Sequence, residues 1–156
     1  MNIYITKGTG TALTTLGAFD SALLSAGIAN FNLLTLSSVI PPDSDIILPE
    51  KGYVAEGGWG ERLYVVMAEA RTAVRDEYAW AGVGWVQDAE SKKGLFVEFE
   101  GNSEEYIRDS ITDTLTGMMA TRGIDMGEIH MLVEGVKCED EPVCALVAAV
   151  YKSEPW

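Results

Sequence analysis

Apolar positions along the chain fall into two periods. Leu95–Glu100 (LFVEFE) alternates strictly, so Leu95, Val97 and Phe99 share one face of a strand and Phe96, Glu98 and Glu100 the other. Two stretches instead repeat at helical spacing. In the first, Thr14-Thr15 caps a helix whose apolar positions are Leu16, Phe19, Leu23 and Ala26, with Gly27 as the stop. In the second, Asn102-Ser103 and Glu104-Glu105 supply a cap and acids at the positive end. The stripe there is Ile107, Ile111, Leu115, Met118 and Met119, and Gly123 ends it. Shorter apolar runs predict strands at Ile3–Thr6, ended by Gly8 and Gly10, and at Asn30–Ser38, closed by Pro41-Pro42. Further strands are expected at Arg62–Ala70, Tyr78–Val86, Ile129–Val136 and Val143–Tyr151, whereas Asp43–Gly60 reads as a loop. The order β-α-β-β-β-β-α-β-β keeps the helices apart between runs of strands. It predicts an α+β layered fold in one domain, not a doubly wound parallel sheet.

Composition narrows the functional classes. The 156 residues carry 24 acidic and 11 basic side chains, a formal net charge of −13. Nucleic acid and anionic lipid would be repelled by such a surface, while a cationic ligand suits it. No run of 18 apolar residues predicts a membrane helix, and MNIYITKGTG does not read as a signal peptide, so the cytosol is the expected compartment. Cys138 and Cys144, six apart, fit no metal-ligand ladder and are expected to be thiols. The single histidine, His130, argues against a multi-histidine metal centre and weakens any Ser-His-Asp arrangement; no metal is expected.

Four places could carry chemistry. Ser37-Ser38 is delivered by an apolar strand to a Val-Ile-Pro-Pro segment whose prolines restrict the backbone. By strand parity Asn32, Leu34, Leu36 and Ser38 share a face, and a buried Asn32 needs partners for its amide. Along one extended strand, Asn32 and Ser38 would stand about 20 Å apart. They could meet only through a fold-back or another subunit. Glu100 reads as a solvated acid. Glu98, more central, would favour its protonated form if buried and could donate a proton near neutrality. Asp20, in AFDSALL, is either an exposed helical acid or a carboxylate at a pocket rim suited to a guanidinium. Gly8-Thr9-Gly10 is too short to cradle a phosphate, and the four tryptophans read as core or interface.

Leu16–Pro42, LGAFDSALLSAGIANFNLLTLSSVIPP, resembles the pyruvoyl-dependent arginine decarboxylase family. The likeness rests on AFD followed by ALL and AGI, then N-x-N-L, then the serine pair with two prolines shortly after it. GLFVEFEG (Gly94–Gly101) before a capped helix, and the small-residue strand CALVAAVYK, resemble it too. The resemblance implies a proenzyme cleaved between Ser37 and Ser38 into fragments 1–37 and 38–156. Ser38 would become a covalent pyruvoyl group that forms a Schiff base with L-arginine, which leaves as agmatine and carbon dioxide. It implies that Glu98 is the proton donor, Asn32 an active-site polar residue and Asp20 the acid that holds the guanidinium. It also implies an α/β/β/α sandwich that assembles as trimers or dimers of trimers, with sites between subunits. A pyruvoyl enzyme for another amino acid, and a non-catalytic acidic trimeric domain with an uncleaved Ser-Ser, are the alternatives.

Overall fold

In the computed structural model, which describes residues 1–156, nine strands and two helices follow one another along the chain. They are β1 (Asn2–Thr11), α1 (Thr15–Ser25), β2 (Asn32–Thr35), β3 (Val39–Ile40), β4 (Asp45–Ile47), β5 (Arg62–Thr72) and β6 (Tyr78–Gln87). β7 (Gly94–Gly101), α2 (Glu104–Arg122), β8 (His130–Lys137) and β9 (Val143–Glu154) complete the order. Both helices begin and end at the anticipated signals. Thr14 is extended and its side chain accepts from Gly17 N; Ser103 does the same for Tyr106 N. The left-handed region is taken up by Gly27 after α1 (φ +72°) and by Gly123 after α2 (φ +63°).

The strands form two sheets, β2-β5-β9-β1-β4 and β3-β7-β6-β8. They stack face to face through Ile3, Ile5, Val66, Val147 and Ala149 of the first and Val83, Trp85 and Phe96 of the second. α1 covers the outer face of the five-stranded sheet with Ala18, Ala22 and Ala26, against Leu63, Val65, Leu146 and Ala148. α2 covers the four-stranded sheet with Ile107, Ile111 and Leu115, against Val86, Leu95 and Val97. The layers are α/β/β/α, as the family resemblance implied. β9 lies mid-sheet between β5 and β1, so its run Val143–Val150 is buried on both faces.

Several boundaries and faces differ from the sequence reading. β1 runs through Gly8 and Gly10 instead of ending before them. The glycines are there because α1 lies directly on the strand: a Cβ at Gly8 would stand 2.3 Å from the Ala22 carbonyl oxygen, and at Gly10 2.2 Å from that of Ala18. For the same reason α1 buries its alanines, and Leu16, expected in the core, is 66% exposed. β2 stops at Thr35, so the shared face proposed for Asn32, Leu34, Leu36 and Ser38 is broken, and Asn32 and Leu34 are exposed. Asp43–Gly60 contains the short strand β4, paired in parallel with β1 through Asn2–Tyr4.

Candidate active site

The chain crosses from one sheet to the other at Ser37-Ser38. β2 pairs in parallel with β5, and this ladder ends where Leu36 N donates to Val65 O at 2.9 Å. Two residues later the partner lies in the opposite sheet: Phe96 N donates to Ser38 O at 2.8 Å, and Val39 and Ile40 pair with Leu95 and Gly94 of β7. Residue 38 makes this change of sheet in the left-handed region, with φ +66°. For an L-residue other than Asn or Asp that conformation costs about 1–2 kcal/mol. The cost is sustained by the restraints on either side, a pattern typical of reactive positions.

Glu98 lies three strand positions beyond the residue paired with Val39. Parity puts its side chain with Phe96, on the face turned toward the other sheet. There its carboxylate accepts the Ser38 hydroxyl at 2.5 Å. Glu98 is half-buried, not fully desolvated as a buried acid would be, and Glu100 is exposed as anticipated. The sequence reading placed no weight on Tyr151, which is bonded next to this pair. Its hydroxyl donates to Val39 O at 2.9 Å, and its ring meets the edge of Phe96 with centroids 6.2 Å apart. Burial, and after it the nearby Glu98 carboxylate, pushes the Tyr151 phenol well above its ordinary value, so it remains an O–H donor throughout the physiological range. The only sequence signal was a phenol at the end of the apolar run CALVAAV, on the parity of Val147 and Ala149.

Ser38 and Glu98 thus form a hydrogen-bonded pair, Tyr151 is bonded to the neighbouring Val39 carbonyl, and Asn32 and Asp20 lie outside this group. Asn32 is exposed; its amide nitrogen donates to Gly60 O at 2.6 Å, an acceptor shared with the indole N–H of Trp156 at 2.9 Å. Asp20 is exposed on α1, one turn from both Leu16 and Leu24, which are 66% and 59% exposed. A cavity of about 470 Å³ lined by Tyr4, Tyr53, Glu56 and Tyr151, and an acidic groove lined by Glu69, Glu77 and Glu100, both lack Ser38 and Glu98 in their walls.

The remaining candidates make no hydrogen bond to Ser38 or Glu98. Cys138 and Cys144 are buried free thiols, and burial followed by the Glu69 carboxylate pushes Cys144 up to about 12, which leaves it a poor nucleophile. His130 stacks on Trp85 at 5.7 Å. No three His, Cys, Asp or Glu side chains are grouped to hold a metal, and no helix is long and apolar enough to cross a membrane.

A pyruvoyl group made from residue 38 fits these surroundings. It requires a serine hydroxyl, an acceptor for its proton and a constrained peptide beside it, and Ser38 has all three.

The family model described as pyruvoyl-dependent arginine decarboxylase matches residues 2–155. A pyruvoyl-dependent arginine decarboxylase of Halobacterium salinarum is 34% identical over 151 residues, covering 96% of this chain and 92% of its own length. One from Methanococcus vannielii is 30% identical over 146 residues, covering 87% and 84%. A solved pyruvoyl-dependent histidine decarboxylase aligns over 90% of this chain and 63% of its own at 10% identity and TM-score 0.49, too distant to bear on the argument.

Proposed function

Because the chain belongs to the pyruvoyl-dependent arginine decarboxylase family, we propose that it converts L-arginine to agmatine and carbon dioxide with a covalent pyruvoyl group generated from Ser38. The observation that carries this reading is the Ser38 hydroxyl hydrogen-bonded to Glu98 at a left-handed residue between two sheets.

Maturation begins at that contact. As the Ser38 Oγ–H bond breaks, Glu98 takes the proton and Oγ bonds to the carbonyl carbon of Ser37. The Ser37–Ser38 C–N bond then breaks, and the Ser38 nitrogen gains a proton. Loss of the Ser38 Cα proton expels Ser37 as a free carboxylate together with the transferred oxygen. One water then replaces the nitrogen of residue 38, which leaves as ammonia. The left-handed backbone favours the step, because opening the peptide releases its strain.

Once formed, the pyruvoyl carbonyl supplies the electrophile for the substrate amine and the sink for the electrons that carbon dioxide leaves behind. Glu98 remains at the reacting end and returns a proton to the substrate carbon that has lost carbon dioxide. The Phe96 N–H holds the carbonyl oxygen of residue 38. Asp20 takes the guanidinium, which a carboxylate can bind with two parallel hydrogen bonds.

We further propose a homotrimer, alone or paired, in the cytoplasm, with each site shared between neighbours. Asn32 and Asp20 lie on the surface, outside the Ser38 group, and Leu16 and Leu24 flank Asp20 with apolar area suited to burial against another subunit. The test is carbon dioxide release from arginine, lysine, ornithine, histidine and aspartate. Arginine is expected to lead lysine and ornithine by at least about tenfold in kcat/KM, or about 1.4 kcal/mol. A best substrate without a guanidinium would contradict the assignment.

A further inference from the structure

Cleavage ahead of residue 38 removes the covalent restraint on its upstream side. The bond from Leu36 N to Val65 O then joins two separate fragments and no longer restrains residue 38 through the chain. The Ser38 Oγ–Glu98 bond disappears as well, since Oγ departs with the Ser37 carboxylate. What persists is the Phe96 N–H on Ser38 O, the two-residue ladder of β3 on β7, and the Tyr151 hydroxyl on Val39 O. Of these, only the last is a side-chain hydrogen bond.

The backbone of β9 changes at this residue. Val150 pairs with Val65 and Lys152 with Tyr64, so Tyr151 is the extra residue of a β-bulge and has no partner on β5. Its neighbour on the other side, β1, pairs no further than Val150. A bulge costs ladder hydrogen bonds and re-aims a side chain, and such irregularities concentrate beside active sites. Here the ring is set against Phe96 and the hydroxyl reaches across to the opposite sheet, to the carbonyl next to residue 38.

Resting on the reading of Ser38 and Glu98 above, we propose that Tyr151 is a positioning residue: its hydroxyl pins Val39 so that residue 38 stays beside Glu98 before and after cleavage. Tyr151 does not touch the reacting atoms; it acts through Val39.

The test is Tyr151→Phe, which removes one oxygen and keeps the ring against Phe96. A parallel Tyr151→His variant restores a ring N–H donor. Four quantities are read: the rate at which one band becomes two on a denaturing gel, the carbonyl count per chain by phenylhydrazine, turnover per carbonyl, and amide hydrogen exchange of Val39 and Ile40 in the mature protein. For Tyr151→Phe, cleavage should slow by several-fold yet finish. Turnover per carbonyl should fall about tenfold with KM for arginine within twofold. Exchange at Val39 and Ile40 should accelerate, and the histidine variant should recover part of each loss. A merely structural role would lower the number of carbonyls, not the turnover of each. Wild-type turnover per carbonyl and wild-type exchange in a folded Tyr151→Phe variant would overturn the proposal. A wild-type protein with neither fragment nor carbonyl would instead overturn the reading of Ser38 on which it rests, and the proposal with it.

Discussion

Ser38 brings together a hydroxyl bonded to Glu98 and a backbone in the left-handed region, and different variants separate their effects. Ser38→Ala removes the nucleophile and should leave one uncleaved chain, visible as a single gel band. Glu98→Gln keeps the shape but cannot take the Ser38 proton. Cleavage should slow, and turnover of whatever matures should fall by roughly 10²–10⁴-fold, the usual range for a lost general acid or base. Wild-type turnover in that variant would remove Glu98 from the mechanism. Asp20 is exposed, so Asp20→Asn should not disturb folding or cleavage. It should raise KM for arginine by at least about tenfold, measured by carbon dioxide release. The serine pair was singled out by the run into two prolines and Glu98 by its central place in β7, but their roles came from the family resemblance, and the parity drawn through Ser38 failed because β2 stops at Thr35. Tyr151 was not singled out, because a bulge leaves no mark on a hydrophobic pattern and the partner of its hydroxyl is a backbone carbonyl 112 positions away.

At the scale of elements, α1 rests on β1 through glycines and alanines. Gly10→Ala would place a Cβ 2.2 Å from the Ala18 carbonyl oxygen, which can be relieved only by lifting the helix. Overpacking of this kind costs about 1–3 kcal/mol. At about 2–4 °C per kcal/mol for a chain of this size, thermal unfolding should show Tm lowered by roughly 2–12 °C; an unchanged Tm would contradict the close packing. The caps of both helices and the alternation of β7 could be read directly, since these signals are local. The two glycines misled: they resemble a strand end, and only the helix lying on them explains their presence inside β1. β3 and β4, at two and three residues, are too short for any period, and they exist because β7 and β1 offer free edges.

For the whole molecule, the sandwich places Ser38 and Glu98 between its sheets while Asn32 and Asp20 face outward. If sites are shared between neighbours, co-expressing Asn32→Ala with Ser38→Ala chains should yield more activity than either alone, because a mixed trimer can join an intact Ser38 to an intact Asn32. No complementation would place the whole site in one chain. The layered architecture followed from the order of elements, whereas the outward face of α1 was not legible, since an outward-facing leucine cannot be told from a core leucine until the helix is seen seated on its sheet. The proposed activity and the proposed cofactor both rest on Ser38. The most direct measurement is therefore the denatured mass of the purified protein, with and without borohydride. The account predicts two fragments, 1–37 and 38–156, of roughly 4 and 13 kDa by proportion of length, the larger alone carrying a carbonyl reducible by borohydride. An active preparation showing one intact chain of 16.9 kDa would contradict it.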